Sequence, residues 1–162
     1  MKNKLTHLPL PTDDGVFVAG YSESGLASLR FPPASPLPAA GEIAPRVTRW
    51  HAQTTRAVQA VLAGKPPGAL PPLDLAAGTE FQRLVWTALQ AIPAGRTASY
   101  GELAQKVGRP QAARAAGSAC GANPIPVLIP CHRVLAAGGA LGGFTAGLAW
   151  KRKLLARERV VV

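Results

Sequence analysis

The chain from 127 to 134 reads Val-Leu-Ile-Pro-Cys-His-Arg-Val, so three reactive or charged side chains interrupt a run that otherwise predicts buried core. Pro130 fixes its own φ and lacks a backbone donor, which predicts a short strand ending in a turn just before Cys131. In a continuous strand, Cys131 and His132 would point to opposite faces. They can therefore cooperate only if the chain bends there.

The residues that follow Cys131 predict that its thiol is a nucleophile. A thiol beside an imidazole (His132) and a guanidinium (Arg133) lies in the electropositive setting that lowers a thiol pKa. The alternative is a buried, inert cysteine, because free cysteine is among the most buried residue types.

Composition indicates a folded protein with an uneven charge. Of the 162 residues, 48% are hydrophobic and 16% charged, so the chain can bury a core. The net charge is +10, and residues 79–162 carry 11 Lys or Arg against three acids. We therefore expect the second half to bind a polyanion, the alternative being a charge that serves solubility alone.

Two cysteines, Cys120 and Cys131, form no disulfide framework, and Met1-Lys2-Asn3-Lys4 leads into no long apolar segment. No apolar run approaches transmembrane length. The sequence therefore predicts a cytoplasmic protein that does not contact a membrane.

Residues 1–72 predict a small α/β scaffold domain. Two β-prone runs, 16–20 and 26–31, flank Ser24-Gly25 and predict a hairpin. Five prolines between 32 and 45 predict a loop. An amphipathic helix should follow and end near Gly64, since apolar positions recur at helical spacing at Val47, Trp50, Thr54, Val58, Val61 and Leu62. His7 and His51 are interpreted as ordinary surface or interfacial residues, and with no cysteine nearby we expect no metal site.

A proline-rich breaker ends this domain, residues 73–78 are the predicted linker, and 79–162 form a second domain. Thr79 and Gln82 have the spacing of a capping box, which predicts a helix from there to Ile92. A second box at Ser99-Tyr100-Gly101-Glu102 opens a helix of about 100–107. Pro110 is expected at the first position of the next helix, which should end near Cys120. Two short helices joined by Gly108-Arg109 predict a helix-turn-helix.

The second helix of that pair is nearly free of bulky side chains between 111 and 119, with Arg114 as its one long cation. Small residues on one face are typical of close helix packing. Small residues all round favour a helix that also approaches another surface, and a DNA minor groove with Arg114 inserted into the base stack meets that requirement.

Glu158 is the informative residue of the last helix, predicted over about 150–160. Its same-face neighbours are Leu154 and Leu155, so it should point inward, and a buried carboxylate needs a partner. His132 is the economical candidate, which would complete a nucleophile, base and orienting carboxylate. An exposed surface glutamate is the alternative.

At this point the sequence closely resembles the O6-alkylguanine-DNA alkyltransferases, over about 80 residues from Thr79 to Glu158. The motifs that carry the resemblance are Thr79-Glu-Phe-Gln82, Val85-Trp86, Ile92-Pro93-Ala-Gly95 with Thr97, Ser99-Tyr100-Gly101-Glu-Leu-Ala104, Arg114-Ala-Ala-Gly117, Asn123-Pro124, Pro130-Cys131-His132-Arg133-Val134, and Lys151 with Leu154, Leu155 and Glu158. Each is weak alone, but their order and spacing together are highly specific.

The resemblance implies an α/β protein with a small ribonuclease H-like N-terminal domain and a mainly helical, winged helix-turn-helix C-terminal domain. It implies that a monomer flips an O6-alkylguanine out of double-stranded DNA and transfers the alkyl group to Cys131, once per molecule and without a cofactor. Thymine O4 is a second candidate donor.

The same resemblance implies a role for each matching residue. His132 would be the base, acting through a water, Glu158 its orienting partner, Tyr100 a donor to the leaving guanine, and Asn123 a brace for the active-site turn. Arg114 would replace the extruded nucleotide. The other DNA-binding positions would be Thr97, Tyr100, Ala112, Ala113, Ala115, Gly117 and Ser118; the base pocket would be formed by Tyr100, Val134, Phe144 and Thr145.

Two positions of the glycine-rich lip, residues 138–147, depart from the family pattern. Phe144 stands where the family usually has tyrosine, and Ala146 where it often has glycine. A lost hydroxyl and an added methyl both bear on how well bulky adducts such as benzyl fit.

Two other function classes remain open. A DNA-binding regulator or damage sensor without transfer explains the charge and Arg114 but gives Cys131 no task. A cysteine hydrolase explains the predicted triad but not the small-residue helix.

Overall fold

The computed structural model describes residues 4–33 and 35–162, and within these ranges the chain is a mixed α/β protein. Its elements are β1 (Thr6–Thr12), β2 (Gly15–Tyr21), β3 (Leu26–Arg30), α1 (Pro45–Leu62), α2 (Glu80–Gln90), β4 (Ala98–Ser99), α3 (Tyr100–Lys106), α4 (Ala113–Gly121), β5 (Val134–Leu135) and α5 (Leu148–Arg157). Across these ranges no helix has both the length and the apolar character that crossing a membrane requires. Residues 1–3, part of the segment used to predict the missing signal, and residue 34 of the predicted loop lie outside the described ranges.

Strand β1 is not anticipated from the sequence, because it contains Pro9 and Pro11 and proline argues against a strand. The carbonyl of Pro9 accepts a hydrogen bond from His51 Nε2 at 2.9 Å, and that of Pro11 accepts one from Gln59 Nε2 at 3.2 Å. In an antiparallel pair the N and O of one residue point to the same side of the strand. The absent proline donors therefore face α1 and not β2, and no ladder bond is lost.

The predicted hairpin is confirmed: β2 pairs antiparallel with β1 on one side and with β3 on the other. Helix α1 covers this sheet with the predicted apolar stripe, except that Trp50 is half-buried and Ala57 is buried in addition. His51 of α1 also accepts a hydrogen bond from Tyr21 Oη, at 2.8 Å. The first part of the chain is thus a three-stranded sheet backed by one helix.

The predicted linker lies along the free edge of β3. The N–H of Leu26 donates to the carbonyl of Pro72, and the N–H of Asp74 donates to the carbonyl of Leu26, both at 2.8 Å. The Ser22 hydroxyl donates to the Asp74 carboxylate at 2.5 Å. The boundaries at 72 and 79 stay a prediction, but the segment between them is held by the sheet.

Both predicted capping boxes are confirmed, with Thr79 and Gln82 opening α2 and Ser99 and Glu102 opening α3. Each satisfies two orphan N–H groups, and loss of such a cap costs about 1 kcal/mol. The prediction that Pro110 begins the next helix is wrong. Pro110 lies in a turn that the Ala112 N–H closes onto the Arg109 carbonyl at 2.9 Å, and α4 begins at Ala113.

Candidate active site and nucleic-acid interface

The chain before Cys131 forms turns and not the predicted strand. Asn123 holds this turn from both ends, because its Nδ2 donates to the carbonyl of Ile129 at 2.7 Å and its Oδ1 accepts from the N–H of Ile125 at 3.0 Å. Between them, Val127 has φ 75°, a left-handed conformation that is costly for a β-branched residue. The surrounding hydrogen bonds fix this conformation and deliver the chain to Cys131.

Cys131 opens a single 3-10 turn, Cys131–Arg133, and this is the bend that cooperation between Cys131 and His132 requires. Both side chains are buried, with relative exposures of 7% for Cys131 and 0% for His132. β5 follows at once and pairs in parallel with β4. The reactive turn is therefore held between the Asn123 turn and a short sheet.

Glu158 points inward, as the spacing of α5 predicts, and lies at the residue that caps the C-terminal end of the helix. Its Oε1 is 2.9 Å from His132 Nε2. Arg133 grips the same carboxylate with two nitrogens, Nη2 to Oε1 at 2.7 Å and Nε to Oε2 at 3.0 Å. A third nitrogen, Nη1, donates to the carbonyl of Ile92 at 2.6 Å. The negative end of the helix dipole disfavours a carboxylate at this position. The hydrogen bonds and positive charge of Arg133 offset this effect and stabilise the ionised Glu158.

These contacts fix the charge of Glu158 and the tautomer of His132. Burial alone would raise the Glu158 pKa, but hydrogen bonds from His132 and Arg133 and their charges lower it to about 2. Burial lowers the His132 pKa, and hydrogen bonding to Glu158 opposes this in part. Because an ionised carboxylate only accepts, His132 Nε2 carries the proton. Nδ1 is then a free base, and it is buried without a hydrogen-bond partner among the described residues.

The expectation that Arg133 lowers the Cys131 pKa is wrong, since Arg133 is engaged with Glu158. Burial raises the Cys131 pKa, while a hydrogen bond with Asn123 and the positive charge of Lys151 act in the opposite direction. Cys131 is therefore a neutral thiol at neutral pH and needs a base before it can act as a nucleophile.

Lys151 belongs to the family motif, but the sequence did not indicate its role. It is fully buried in α5, and its Nζ donates to the carbonyls of Val134 at 2.7 Å, of Gly143 at 3.2 Å and of Leu141. It thereby fastens the glycine-rich lip to β5. The spacing that places Glu158 inward also places residue 151 on that face, seven residues before it, so the pattern contained the signal.

A cavity of about 460 Å³ opens beside Cys131, between α3, α4 and the lip. Its walls are Tyr100, Ala113, Arg114, Gly117, Ser118, Cys120, Gly121, Cys131, Gly143, Phe144 and Thr145. Eight of these are predicted site residues. Burial raises the pKa of Tyr100, so its hydroxyl stays protonated and can donate. Arg114 is exposed at the mouth of the cavity.

The remaining predicted residues lie outside this cavity. Val134 is fully buried in β5, its carbonyl accepts a hydrogen bond from Lys151 Nζ, and it does not line this cavity, so its placement in the base pocket stays a prediction. Ala112 precedes α4, Ala115 is exposed on it, and Thr97 is exposed before β4. Asn123 lines a second cavity of about 410 Å³ that also reaches Cys131 and lies between β3 and the lip.

Cys120 lines both cavities together with Cys131. Burial raises its pKa to about 12, and the nearby Cys131 adds to this effect. It is therefore a neutral thiol without a basic side chain bonded to it. Within the described ranges, no cluster of three or more His, Cys, Asp or Glu side chains is arranged to hold a metal ion.

A family model described as the DNA-binding domain of 6-O-methylguanine DNA methyltransferase matches residues 80–160, which is half of the chain. The chain belongs to this family. The matched segment contains Cys131, His132 and Glu158.

Similar methyltransferases come from several bacteria. A methylated-DNA--protein-cysteine methyltransferase of Mycolicibacterium paratuberculosis is 59% identical over 87 residues, which are 54% of this chain and 52% of that protein. The protein of the same name from Salmonella typhimurium is 54% identical over 81 residues, 50% of this chain and 47% of that protein. The chain thus spans about half the length of the curated relatives it matches.

The structural likeness extends further than the sequence likeness. The crystal structure of Mycobacterium tuberculosis OGT in complex with DNA superimposes with a TM-score of 0.79 at 36% identity, covering 94% of this chain and 92% of that one. The likeness to this structure therefore includes the N-terminal sheet, whereas the family model matches residues 80–160.

Proposed function

We propose that this methyltransferase-family protein repairs DNA directly, by moving an alkyl group from O6 of guanine to Cys131 in a single irreversible turnover. The observation that carries the proposal is that buried Cys131 borders a cavity with an exposed arginine at its mouth and is followed by His132, whose Nε2 lies 2.9 Å from the Glu158 carboxylate. The DNA-bound Mycobacterium tuberculosis OGT structure supports the choice of DNA as partner.

The chemistry follows from the protonation states. The Cys131 proton passes, through a water, to the free Nδ1 of His132, and Glu158 stabilises the imidazolium that forms. The thiolate sulfur attacks the alkyl carbon, and the C–S bond forms as the bond to guanine O6 breaks. The departing guanine takes a proton from the Tyr100 hydroxyl, and the His132 imidazolium returns its proton, through water, to Tyr100. The net exchange is one alkyl group for one proton, so no cofactor is needed.

Helix α4 is the proposed DNA-binding element. A base inside a duplex cannot reach a buried thiol, and flipping it out costs a few kcal/mol. Arg114 stands at the mouth of the cavity, where its side chain would fill the gap in the base stack. Small side chains at Ala113, Ala115 and Gly117 allow the helix to approach a minor groove closely.

We propose further that the two parts of the chain are separate domains. The sheet and α1 would be a ribonuclease H-like domain of residues 1–72, and α3 and α4 the helix-turn-helix of a winged domain of residues 79–162. We propose that the protein acts as a monomer on DNA in the cytoplasm, because one chain carries both the acceptor and the proposed DNA contacts.

The range of alkyl groups depends on the second cavity. Phe144 and Ala146 line it together with Cys131, and its volume of about 410 Å³ leaves room beside the thiol for groups larger than methyl. Thymine O4 is the other proposed donor, as a smaller base would fit the same site.

The experiment mixes the protein with excess duplex DNA containing one O6-methylguanine and measures intact and peptide masses. We expect one added methyl on the Cys131 peptide, no further gain with time, and no gain for Cys131→Ala; Cys120→Ala should behave as wild type. Tight binding to the lesion without any mass gain would instead support a damage sensor. Repeated turnover after an initial burst would support a hydrolase.

A further inference from the structure

Helix α5 ends immediately before the catalytic carboxylate, and it ends in an unusual way. The N–H of Arg159 donates to the Ala156 carbonyl at 3.0 Å and that of Val160 to the Leu155 carbonyl at 2.9 Å, the two bonds of a Schellman motif. The left-handed residue of this motif is normally glycine, but here it is Arg159, with φ 62°. The end of α5 is therefore less favourable than a glycine-capped end and depends on outside support.

That support comes from the N-terminal part of the chain. Both oxygens of the Asp14 carboxylate accept hydrogen bonds from the Arg157 guanidinium, at 2.6 and 2.7 Å. Lys153 Nζ lies 3.6 Å from Asp14 Oδ1. Gly64, just after α1, approaches from the other side. It has φ 74°, and a Cβ there would lie 2.5 Å from the carbonyl oxygen of Arg157.

Asp14 is itself held rigidly in the turn between β1 and β2. Its N–H donates to Thr12 Oγ1 at 3.0 Å, and that hydroxyl donates to the carbonyl of Gly15 at 2.7 Å. The side chain of Asp14 is only 13% exposed. The hydrogen bond from Arg157 lowers the Asp14 pKa, so the carboxylate stays charged through the neutral range.

We propose that Asp14 is a positioning residue for alkyl transfer. Arg157 is joined by one peptide bond to Glu158, whose carboxylate holds His132 Nε2 at 2.9 Å. By holding Arg157, the β1–β2 turn fixes the position of Glu158. Glu158 in turn orients His132 so that its Nδ1 can accept the Cys131 proton. This inference rests on the proposed function and gives the N-terminal sheet a part in the chemistry.

The test compares Asp14→Asn with Asp13→Asn in single-turnover transfer at varied DNA concentration and pH. Asp13 occupies the same turn but is exposed. For Asp14→Asn we expect a maximal rate about threefold to tenfold lower at unchanged DNA affinity, because small misplacement of a catalytic group slows transfer without affecting binding. Asp14→Glu should recover most of the rate, and Asp13→Asn should match wild type.

The pH profile separates positioning from mere support of the fold. The charged groups that act on the His132 pKa are Glu158, Arg133 and Lys151, and of these only Glu158 favours the protonated form. A loosened Glu158 should therefore move the acid limb of the rate profile to lower pH. A purely structural ion pair would lower the melting temperature and leave the limb in place.

A second pair of variants tests the position of Arg157 without changing the charge of any residue. Gly64→Ala should reproduce both the slower rate and the shifted limb, because the new Cβ meets the Arg157 carbonyl. Gly68→Ala is the control, since Gly68 also has a positive φ, of 71°, but a Cβ there would meet nothing within 4 Å.

The outcomes are distinct from those that test the function itself. If the wild-type protein takes up no alkyl group, the proposed function fails whatever Asp14 does. If it transfers normally and Asp14→Asn equals Asp13→Asn in rate and pH profile, the inference is wrong. A loss of rate with an unmoved acid limb, or with a parallel loss of DNA affinity, would also overturn it.

Discussion

Replacing Glu158 by glutamine removes one charge and keeps the shape of the side chain. Arg133, whose side chain is 10% exposed, then loses its ionic partner. Breaking a buried pair in this way typically costs about 3–5 kcal/mol. The lowering of the Glu158 pKa from 4.5 to about 2 gives a similar magnitude, about 3 kcal/mol. For a chain of this size we expect the melting temperature to fall by about 6–20 °C.

The effect of Glu158→Gln on transfer follows from the bond to His132. A glutamine oxygen can still accept from Nε2, but a neutral hydrogen bond is worth about 1–2 kcal/mol less than a charge-assisted one when the imidazolium forms. The rate should therefore fall about 5- to 30-fold. The acid limb of the rate profile should move to lower pH, because the His132 pKa drops further.

The assay is single-turnover transfer from an O6-methylguanine duplex, followed by the mass of the Cys131 peptide at a temperature where both proteins are folded. Glu42→Gln, at an exposed loop position, is the matched control. A Glu158→Gln variant that transfers at the wild-type rate with the wild-type pH profile would refute the role of this carboxylate in the relay.

Four further outcomes are expected. Gly142→Ala should slow transfer more than Gly139→Ala, since both have a positive φ but only at 142 would a Cβ meet Tyr100 Oη, at 2.9 Å; equal rates would contradict a role for that contact. Lys151→Met should loosen the lip and destabilise the protein by about 1–3 kcal/mol, measured by denaturant unfolding; an unchanged midpoint would be inconsistent with three carbonyls losing their donor. Arg114→Ala should slow transfer from duplex DNA about tenfold or more but spare transfer from the free modified base, because it removes only the help in base flipping. On acidification, the contribution of about 3 kcal/mol that Glu158 makes to the free energy of unfolding should be lost between about pH 4.5 and 2, because its folded pKa lies below its unfolded one. An acid-unfolding midpoint that is the same in wild type and Glu158→Gln would contradict this.

Local patterns in the sequence predicted most of the C-terminal fold. The capping boxes at Thr79 and Ser99 bond within three residues, so their geometry is independent of the rest of the chain. The inward position of Glu158 followed from helical periodicity in the same way. Residues that act over short separations are visible in the sequence because nothing distant can override them.

The failures involve contacts that helix and strand patterns do not reveal, some of them between distant parts of the chain. Val127 adopts a left-handed conformation that no local preference favours, because Asn123 closes the turn around it. Arg133 lies close to Cys131 in sequence, but its guanidinium pairs with the carboxylate of Glu158, 25 residues later. The role of a charged residue depends on the group it pairs with, and only the folded chain shows which group that is.

The two prolines of β1 have a consequence for the behaviour of many copies together. An outermost strand normally presents a row of free donors and acceptors on which another chain can add. Here Pro9 and Pro11 have no N–H to offer on that side, and their carbonyls are occupied by His51 and Gln59. The sheet therefore ends without a template for strand addition, which protects a concentrated solution of this protein from edge-to-edge aggregation.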